Sequence, residues 1–427
     1  MKIALVDDSA RRNLLPLTYT RASFDLRVGL YTLRERVERL LGRVDVIFVE
    51  DYLADVYHER IRGVDVNPAE VDEDLLVVNG RLLVNKGLAR LVKERVKERR
   101  YFSMFSNGEL VAAYVPRGEA GEACELLAKR ELDKALGALK RVGTRLEYAA
   151  LLFKYPWELV NANTEVIASD FAELGKRGLE GDVDERAAIY GSDVYVAKEA
   201  RVEAYAVLDA REGPIVIDEG ARVAAGAVIE GPAYIGKGTM IVANALVREG
   251  CSIGEVCRVG GEIEETIIQG YSNKYHAGFI GHAYVGEWVN IGALTTNSDL
   301  KDTYGTVKVN VEGRKVDTGL RKVGCFLGDM AKTSIGTYIY TGKKVGVASH
   351  LHGVVYEDVP SFTIYAKSLG GGAVELYLES AIEIQRRMMS RRGKVLSKSE
   401  EELIRRLFEL TEEERRRAGV VKGRFKL

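Results

Sequence analysis

Residues 273–281 read NKYHAGFIG and set Lys274 and His276 beside glycines. An imidazole with a pKa near ~6.5 can remove a proton at neutral pH. Backbone N–H groups of a glycine-rich turn can hold an oxyanion. These parts suit base-assisted attack of an amine on an acyl carbon, because an ammonium group cannot attack until it loses its proton. Near the N-terminus, Arg11, Arg12, Arg21 and Arg27 offer guanidinium groups for phosphate. Asp7, Asp8 and Asp170 are carboxylates able to ligate a hard cation.

His276 lies in a repeat. Ile217, Val223, Ile229, Ile235, Ile241, Val247, Ile253 and Val259 follow one another at intervals of six residues. Small residues, chiefly Gly and Ala, fill the gaps, as in IGKGTM and VAAGAV. A hexapeptide period with one inward aliphatic residue predicts a parallel β-helix, with three hexads to a triangular coil. Helices have no period of six, and antiparallel strands would show a period of two. The rhythm takes in Val196 and Val202 upstream. It is expected to return at Phe279, Val285 and Ile291, and again at Ile335, Thr341 and Val347. Residues 260–278 and 296–324 interrupt it, and both are expected to emerge as loops on one side of the solenoid.

Other elements must position this wall. KIALV (2–6), VDVIFVE (44–50), DLLVVNG (74–80) and LVAAYVP (110–116) read as strands. Residues 30–42, 88–100 and 122–142 carry the helical period. The alternation predicts an α/β domain with a mostly parallel sheet. After Gly372 the chain reads as helical, with Ser397 and Glu400 suited to a capping box and the charged run as a solvated helix face.

The 427 residues allow two or three domains. A net charge of −1 gives no field for nucleic acid or an anionic membrane, so an anionic ligand needs a local basic cluster. No window approaches the ~18 apolar residues of a membrane span. MKIALVDDSARR has two acids after a short apolar run and does not read as a secretion signal. The chain therefore reads as cytoplasmic. Cys124, Cys251, Cys257 and Cys325 form no CxxC pair and no disulfide framework, and Cys251 and Cys257 should sit on different faces. Only Gln269 and Gln385 are glutamines, a scarcity that fits a protein from a hot environment.

The stretch GYSNKYHAGFIGHAYVGEWVNIGALTTNSDLKDTYGTVKV, with DTGLRKVGCFLGDMAKTSIGT after it, resembles a family of bifunctional enzymes. These are the sugar-1-phosphate nucleotidyltransferase/glucosamine-1-phosphate N-acetyltransferases, N-acetylglucosamine-1-phosphate uridylyltransferase-like, in their divergent bacterial and archaeal branch. LLPLTYTRASFDLRVGLYTLRERVE, YPWELVNANTEVIASDF and RRMMSRRGKVLS are similar to the same branch. The resemblance implies an α/β nucleotidyltransferase-like domain over residues 1–180. It implies a left-handed parallel β-helix acyltransferase domain over 181–372 and a helical tail over 373–427.

It further implies a homotrimer with acetyl-CoA held between subunits, an amino-sugar-1-phosphate acceptor, and UTP or dTTP with Mg²⁺ at the N-terminal site. His276 then matches the catalytic base. Lys274, Asn290, Asn297, Lys301 and Arg258 are candidates for the substrate, and Ala293, Gly328, Lys332 and Gly346 for the cofactor. Arg12, Arg21, Arg27 and Asn79 are candidates for the nucleotide, and Asp8 and Asp170 for the metal.

Some positions depart from the family pattern. Phe279 stands where better-known members have a tyrosine, Gly260 and Gly261 where a basic residue is usual, and Met330 where relatives often have histidine. No glycine precedes Gly29, so the Gly-rich phosphate loop is missing, and Asn79-Gly80-Arg81 replaces the usual Gly-Asp. A binding or regulatory role for the N-terminal domain is the competing reading. A zinc site of three histidines is another. However, His276 and His282 lie one hexad apart, and His350 and His352 stand at spacing two without a third ligand in register. His58 reads as an ordinary helix or loop residue.

Overall fold

The computed structural model describes residues 1–117, 121–129, 131–141 and 143–426. Strands Lys2–Val6, Val46–Phe48, Leu75–Asn79 and Glu109–Val115 lie where the apolar runs predicted them. With three more they build a seven-stranded sheet. Lys2–Val6 is central, parallel to Val46–Phe48 on one side and to Leu75–Asn79 on the other. Glu109–Val115 runs antiparallel to both of its neighbours, so the sheet is mixed. Ile3, Ala4, Leu5 and Val6 are all buried, as a strand covered on both faces requires. Helices Leu33–Leu40 and Lys86–Lys97 follow the predicted period. The run 122–142 divides into two helices, Gly121–Ala128 and Leu132–Leu139, and its residues 130 and 142 lie outside the described set.

From Gly178 onward, strands of two to five residues stack in parallel register into sheets of nine, six and six strands. The hexad residues Ile217, Val223, Ile229, Ile235, Ile241, Val247, Ile253 and Val259 form the dry interior, none of them exposed. Coils turn through residues with φ in the left-handed region, including Asn244, Val256, Tyr271, Trp288 and Leu294. This is a left-handed parallel β-helix. Cys251, Cys257 and Cys325 are free and buried within it.

Two expectations about the repeat need correction. Residues 260–278 do not project as a loop. Ile235 pairs with Ile253 at full coil length, but Ile253 pairs with Ile268 and Ile268 with Val285, so these coils are shorter than three hexads. The shortening slips the phase. Ile280 enters the core while Phe279 faces outward, and farther along Ile339, Val345 and Leu351 point inward while Ile335 is 78% exposed. Val285 and Ile291 do lie inside. The second interruption does project, as the hairpin Lys308–Val311/Arg314–Asp317.

The tail differs as well. Gly372–Glu375 is a strand, antiparallel to Thr363–Ala366, and it covers the open edge of the last coil. Helices Leu378–Ser390 and Lys398–Leu410 follow, the second with a capping box from Ser397 and Glu400. Leu403, Ile404 and Leu407 bury one face in a cluster shared with Val56, Tyr57, Met330 and Phe362. The tail therefore joins the sheet to the coils. No helix among the described residues is long and apolar enough to cross a membrane.

Candidate functional site

In a sheet of this order, ligands bind at the carboxyl ends of the strands where the strand order reverses. Val6 pairs with Asn79 at that point, so Asp7, Asp8, Asn79, Gly80 and Arg81 crown the crevice. Arg81 fills it. Its Nε and Nη2 donate to the two oxygens of Asp8 at 2.7 and 2.8 Å, and Nη2 also donates to Glu109 at 2.7 Å. Nη1 donates to the carbonyl of Phe153 at 3.0 Å. Asn79 Nδ2 donates to Asp8 and to the carbonyl of Leu110. Asp7 is ion-paired with Arg11 at 2.7 Å and accepts from Ser23, while burial pushes its carboxyl above the usual range.

The metal expectation does not fit these residues. Both oxygens of Asp8 belong to Arg81. Asp170 is fully buried, bonded to Arg36 through both oxygens and to the backbone N–H of Leu30. A hard cation would have to displace a guanidinium in each case.

The four nucleotide candidates do not come together either. Arg21 pairs with Asp329 and Glu287 of the β-helix, joined there by Thr20. Arg27 donates to the carbonyl of Leu30 at 2.6 Å and lies 5.5 Å over the Tyr234 ring. Both arginines hold the first segment against the coils. Arg12 is exposed and lines a cavity of about 540 Å³ with Tyr52, Glu402 and Arg406. Asn79 is committed to Asp8.

The second site is a corner of the β-helix. Asn273–Lys274 and Phe279–Gly281 are strands of two adjacent faces, and His276 is exposed at the turn between them. Asn273 bridges to Asn290 and Asn290 to Lys332, so three coils stack their outward side chains on one face. The backbone N–H of Leu294 donates to the carbonyl of Ala277, which sets Ala293 on the coil beside His276. Tyr275 packs edge-on to the imidazole, centroids 5.2 Å apart.

Lys274 departs from its expected role. It pairs in register with Val259, an inward position, and is 2% exposed. Its Nζ donates to the carbonyls of Gly260 and His276 at 2.8 and 2.6 Å. Burial lowers its ammonium to about 8. Lys274 is thus an internal strut under the corner and does not reach substrate. Gly261 explains the absence of a side chain there, since a Cβ would lie 2.6 Å from Lys274 Nζ.

Asn297 is also inside the wall. Its amide accepts from the N–H of Gly281 at 2.8 Å and donates to the Gly281 carbonyl at 2.9 Å. Lys301 is half-buried at the base of the projecting segment, and Arg258 is exposed on the same face as Asn273. Gly328 and Gly346 stand where the wall packs tightly. A Cβ at Gly328 would meet Pro16 at 3.1 Å and one at Gly346 would meet Ser361 at 2.2 Å, so both are glycines of close packing. Lys332 is half-buried, its Nζ bonded to the carbonyl of Met330, and burial lowers its ammonium to about 8. His350 follows it in the ladder, driven down to about 3 by burial and by Lys332.

His282 Nδ1 lies 2.8 Å from an Asp299 oxygen, and His352 stacks on Phe425. Among the described residues, the group with metal-ligand spacing is Glu264, Glu265 and His282, and Lys322 and Arg248 already face its acids. Sequence reasoning missed Arg81 as the plug of the crevice and the tail arginines Arg391 and Arg392 beside Asn290. The second was legible only in the basic run RRMMSRR, which reads equally as a helix surface.

Residues 3–177 match the family model described as sugar nucleotidyl transferase. The chain is 36% identical over 152 residues to a protein from Sulfurisphaera tokodaii named bifunctional sugar-1-phosphate nucleotidylyltransferase/acetyltransferase. That match covers 35% of this chain and 38% of the relative. It is 32% identical over 193 residues to a bifunctional protein GlmU from Methanococcus aeolicus, covering 45% of this chain and 40% of the relative. The matches thus span about two fifths of these relatives' length. An Arabidopsis UDP-N-acetylglucosamine acyltransferase of known structure aligns at 17% identity with a TM-score of 0.30, over 50% of this chain and 78% of that chain. The Sulfurisphaera relative is thus named as a transferase, and the Methanococcus relative as bifunctional.

Proposed function

We propose that the protein is an acetyl-CoA-dependent N-acetyltransferase acting on an amino-sugar-1-phosphate, coupled to nucleotidyl transfer that makes a UDP- or dTDP-sugar. The observation that carries this reading is the stacked corner, with an exposed His276 above a buried ammonium strut, Ala293 on the next coil and Asn290 bridged to Asn273 at the start of the same turn. His276 takes the proton from the sugar ammonium. The freed amine attacks the thioester carbonyl of acetyl-CoA, the C–S bond breaks, and the thiol leaves with a proton. Asn290 orients the sugar, and backbone N–H groups near Ala293 face the developing oxyanion. The division into residues 1–180, 181–372 and 373–427 belongs to the same proposal. So do a cytoplasmic homotrimer with acetyl-CoA between subunits and an origin in a hot environment.

Acetylation of hexosamine-1-phosphates, followed by thiol release from acetyl-CoA, tests the reading. It fails if wild type shows no acetylation above the uncatalysed rate.

For the N-terminal half the Arg81–Asp8 pair favours a second reading, in which the domain binds a sugar nucleotide without turning it over. Pyrophosphate release from UTP or dTTP with sugar-1-phosphates and Mg²⁺ decides between the two.

A further inference from the structure

Many described cations of this molecule are matched to acids, often at 2.5–3.0 Å, as in Arg81–Asp8, Arg405–Glu379 and Arg415–Glu375. Most cations around one cavity are not. Arg391 and Arg392, at the end of helix Leu378–Ser390, meet Asn273, Asn290 and Lys332 of the β-helix around a cavity of about 240 Å³. Arg258 stands next to Asn273 in the same ladder. Among the described residues, none of Arg258, Lys332, Arg391 and Arg392 has a carboxylate within ion-pair distance. Arg387, one helical turn back, also lines the cavity but is paired with Glu383 at 2.9 Å.

The polar contacts inside the group leave capacity unused. Arg392 Nη2 donates to Asn273 Oδ1 at 2.6 Å, but its Nε is buried with no partner. Lys332 Nζ has one bond, to the carbonyl of Met330. Asn273 Nδ2 reaches Asn290 Oδ1 at 3.4 Å, so both amides point into the cavity rim. Tyr271, stacked on Trp288, makes the apolar wall. Burial, Arg258 and Arg391 together lower the Arg392 guanidinium below its ordinary range. Self-repelling cations around a hollow are costly unless an anion neutralises them, and a planar guanidinium pair matches phosphate oxygens.

We propose that this cavity is a phosphoryl-binding site in which Arg391 and Arg392 of the tail helix, with Lys332 below, grip a phosphate monoester. Asn290 lines it, so the phosphoryl group is that of the acceptor sugar or of the coenzyme that reacts at the adjacent corner. This rests on the acetyltransferase reading for the ligand's identity, but not for its charge. The tail arginines supply the charge that Phe279 and Gly260 lack.

Isothermal titration of the full chain tests it, with inorganic phosphate, glucosamine-1-phosphate, glucosamine, CoA and dephospho-CoA as probes. Wild type should bind the phosphorylated probes, and more weakly as salt rises. Arg391→Ala with Arg392→Ala should weaken one phosphorylated ligand roughly tenfold or more, and Arg391→Lys with Arg392→Lys should recover part of it. Unaltered circular dichroism and melting temperature would show that the variants fold. A loss confined to glucosamine-1-phosphate assigns the sugar, and one confined to CoA over dephospho-CoA assigns the coenzyme. Equal affinities in wild type and the double alanine variant, for every phosphorylated probe, overturn the site. Binding needs no turnover, so an inactive but phosphate-binding protein would count against the acetyltransferase reading alone.

Discussion

Arg81 holds both carboxylate oxygens of Asp8 at the point where the central strands of the sheet end, and Glu109 accepts from the same guanidinium. Nucleotide phosphates and a metal would have to enter through this clamp. Truncating Asp8 to Ala leaves a nearly buried Arg81 with only Glu109 as counter-charge. The expected cost is about 3 kcal/mol, read from urea unfolding of wild type and variant. A loss near zero would mean that water already shares the pair.

His276 is exposed, and its ring meets that of Tyr275 edge-on. His276→Ala should therefore leave the melting temperature within a degree or two while lowering kcat for acetylation by roughly 10²–10⁴-fold. Full activity in this variant would remove the imidazole from the chemistry.

Lys274→Met removes the donor that holds the carbonyls of Gly260 and His276. Two buried acceptors left unpaired should cost about 1–3 kcal/mol each at most. The pH dependence carries a sign. Folding lowers the Lys274 ammonium from 10.5 to about 8, so between those values the unfolded chain binds more protons than the folded one. Stability from this group therefore rises as pH climbs from about 8 toward 10.5. Unfolding measured from pH 7 to 10 should show wild type gaining on Lys274→Met across that window. Parallel curves would mean that Lys274 keeps its charge inside.

Tyr338, Leu294 and Ile335 leave 54%, 60% and 78% of their surfaces in water near the His276 corner. Tyr338 pairs in register with Thr296, on the face next to that corner. Contiguous apolar surface of this kind calls for a covering partner. In a homotrimer Tyr338→Glu should shift the protein toward monomer by sedimentation velocity. A wild type that sediments as a monomer would dismiss the trimer directly.

The hexads revealed the β-helix because an interior one residue wide accepts only small aliphatic side chains, and eight of them recur in phase. They could not reveal where the phase slips. Ile280 and Phe279 are both apolar neighbours, and only the shortened coils decide which one turns inward. Lys274 was misleading for the same reason, since a lysine in a hydrophobic slot looks like a surface residue until its carbonyl partners are seen. In the N-terminal half, the missing glycines and the Asn79-Gly80-Arg81 run showed that the usual phosphate loop was gone. That Arg81 folds back onto Asp8 depends on a contact 73 residues apart, which no local pattern records.

Arg392 reaches Asn273 across 119 residues of chain. During synthesis the coil bearing His276 can close as soon as its neighbours emerge, because each coil rests on the one before it. The phosphoryl cavity cannot. It gains its arginine wall only when the tail helix has been made and has docked, so a nascent chain would carry the His276 corner well before the cavity beside it is closed.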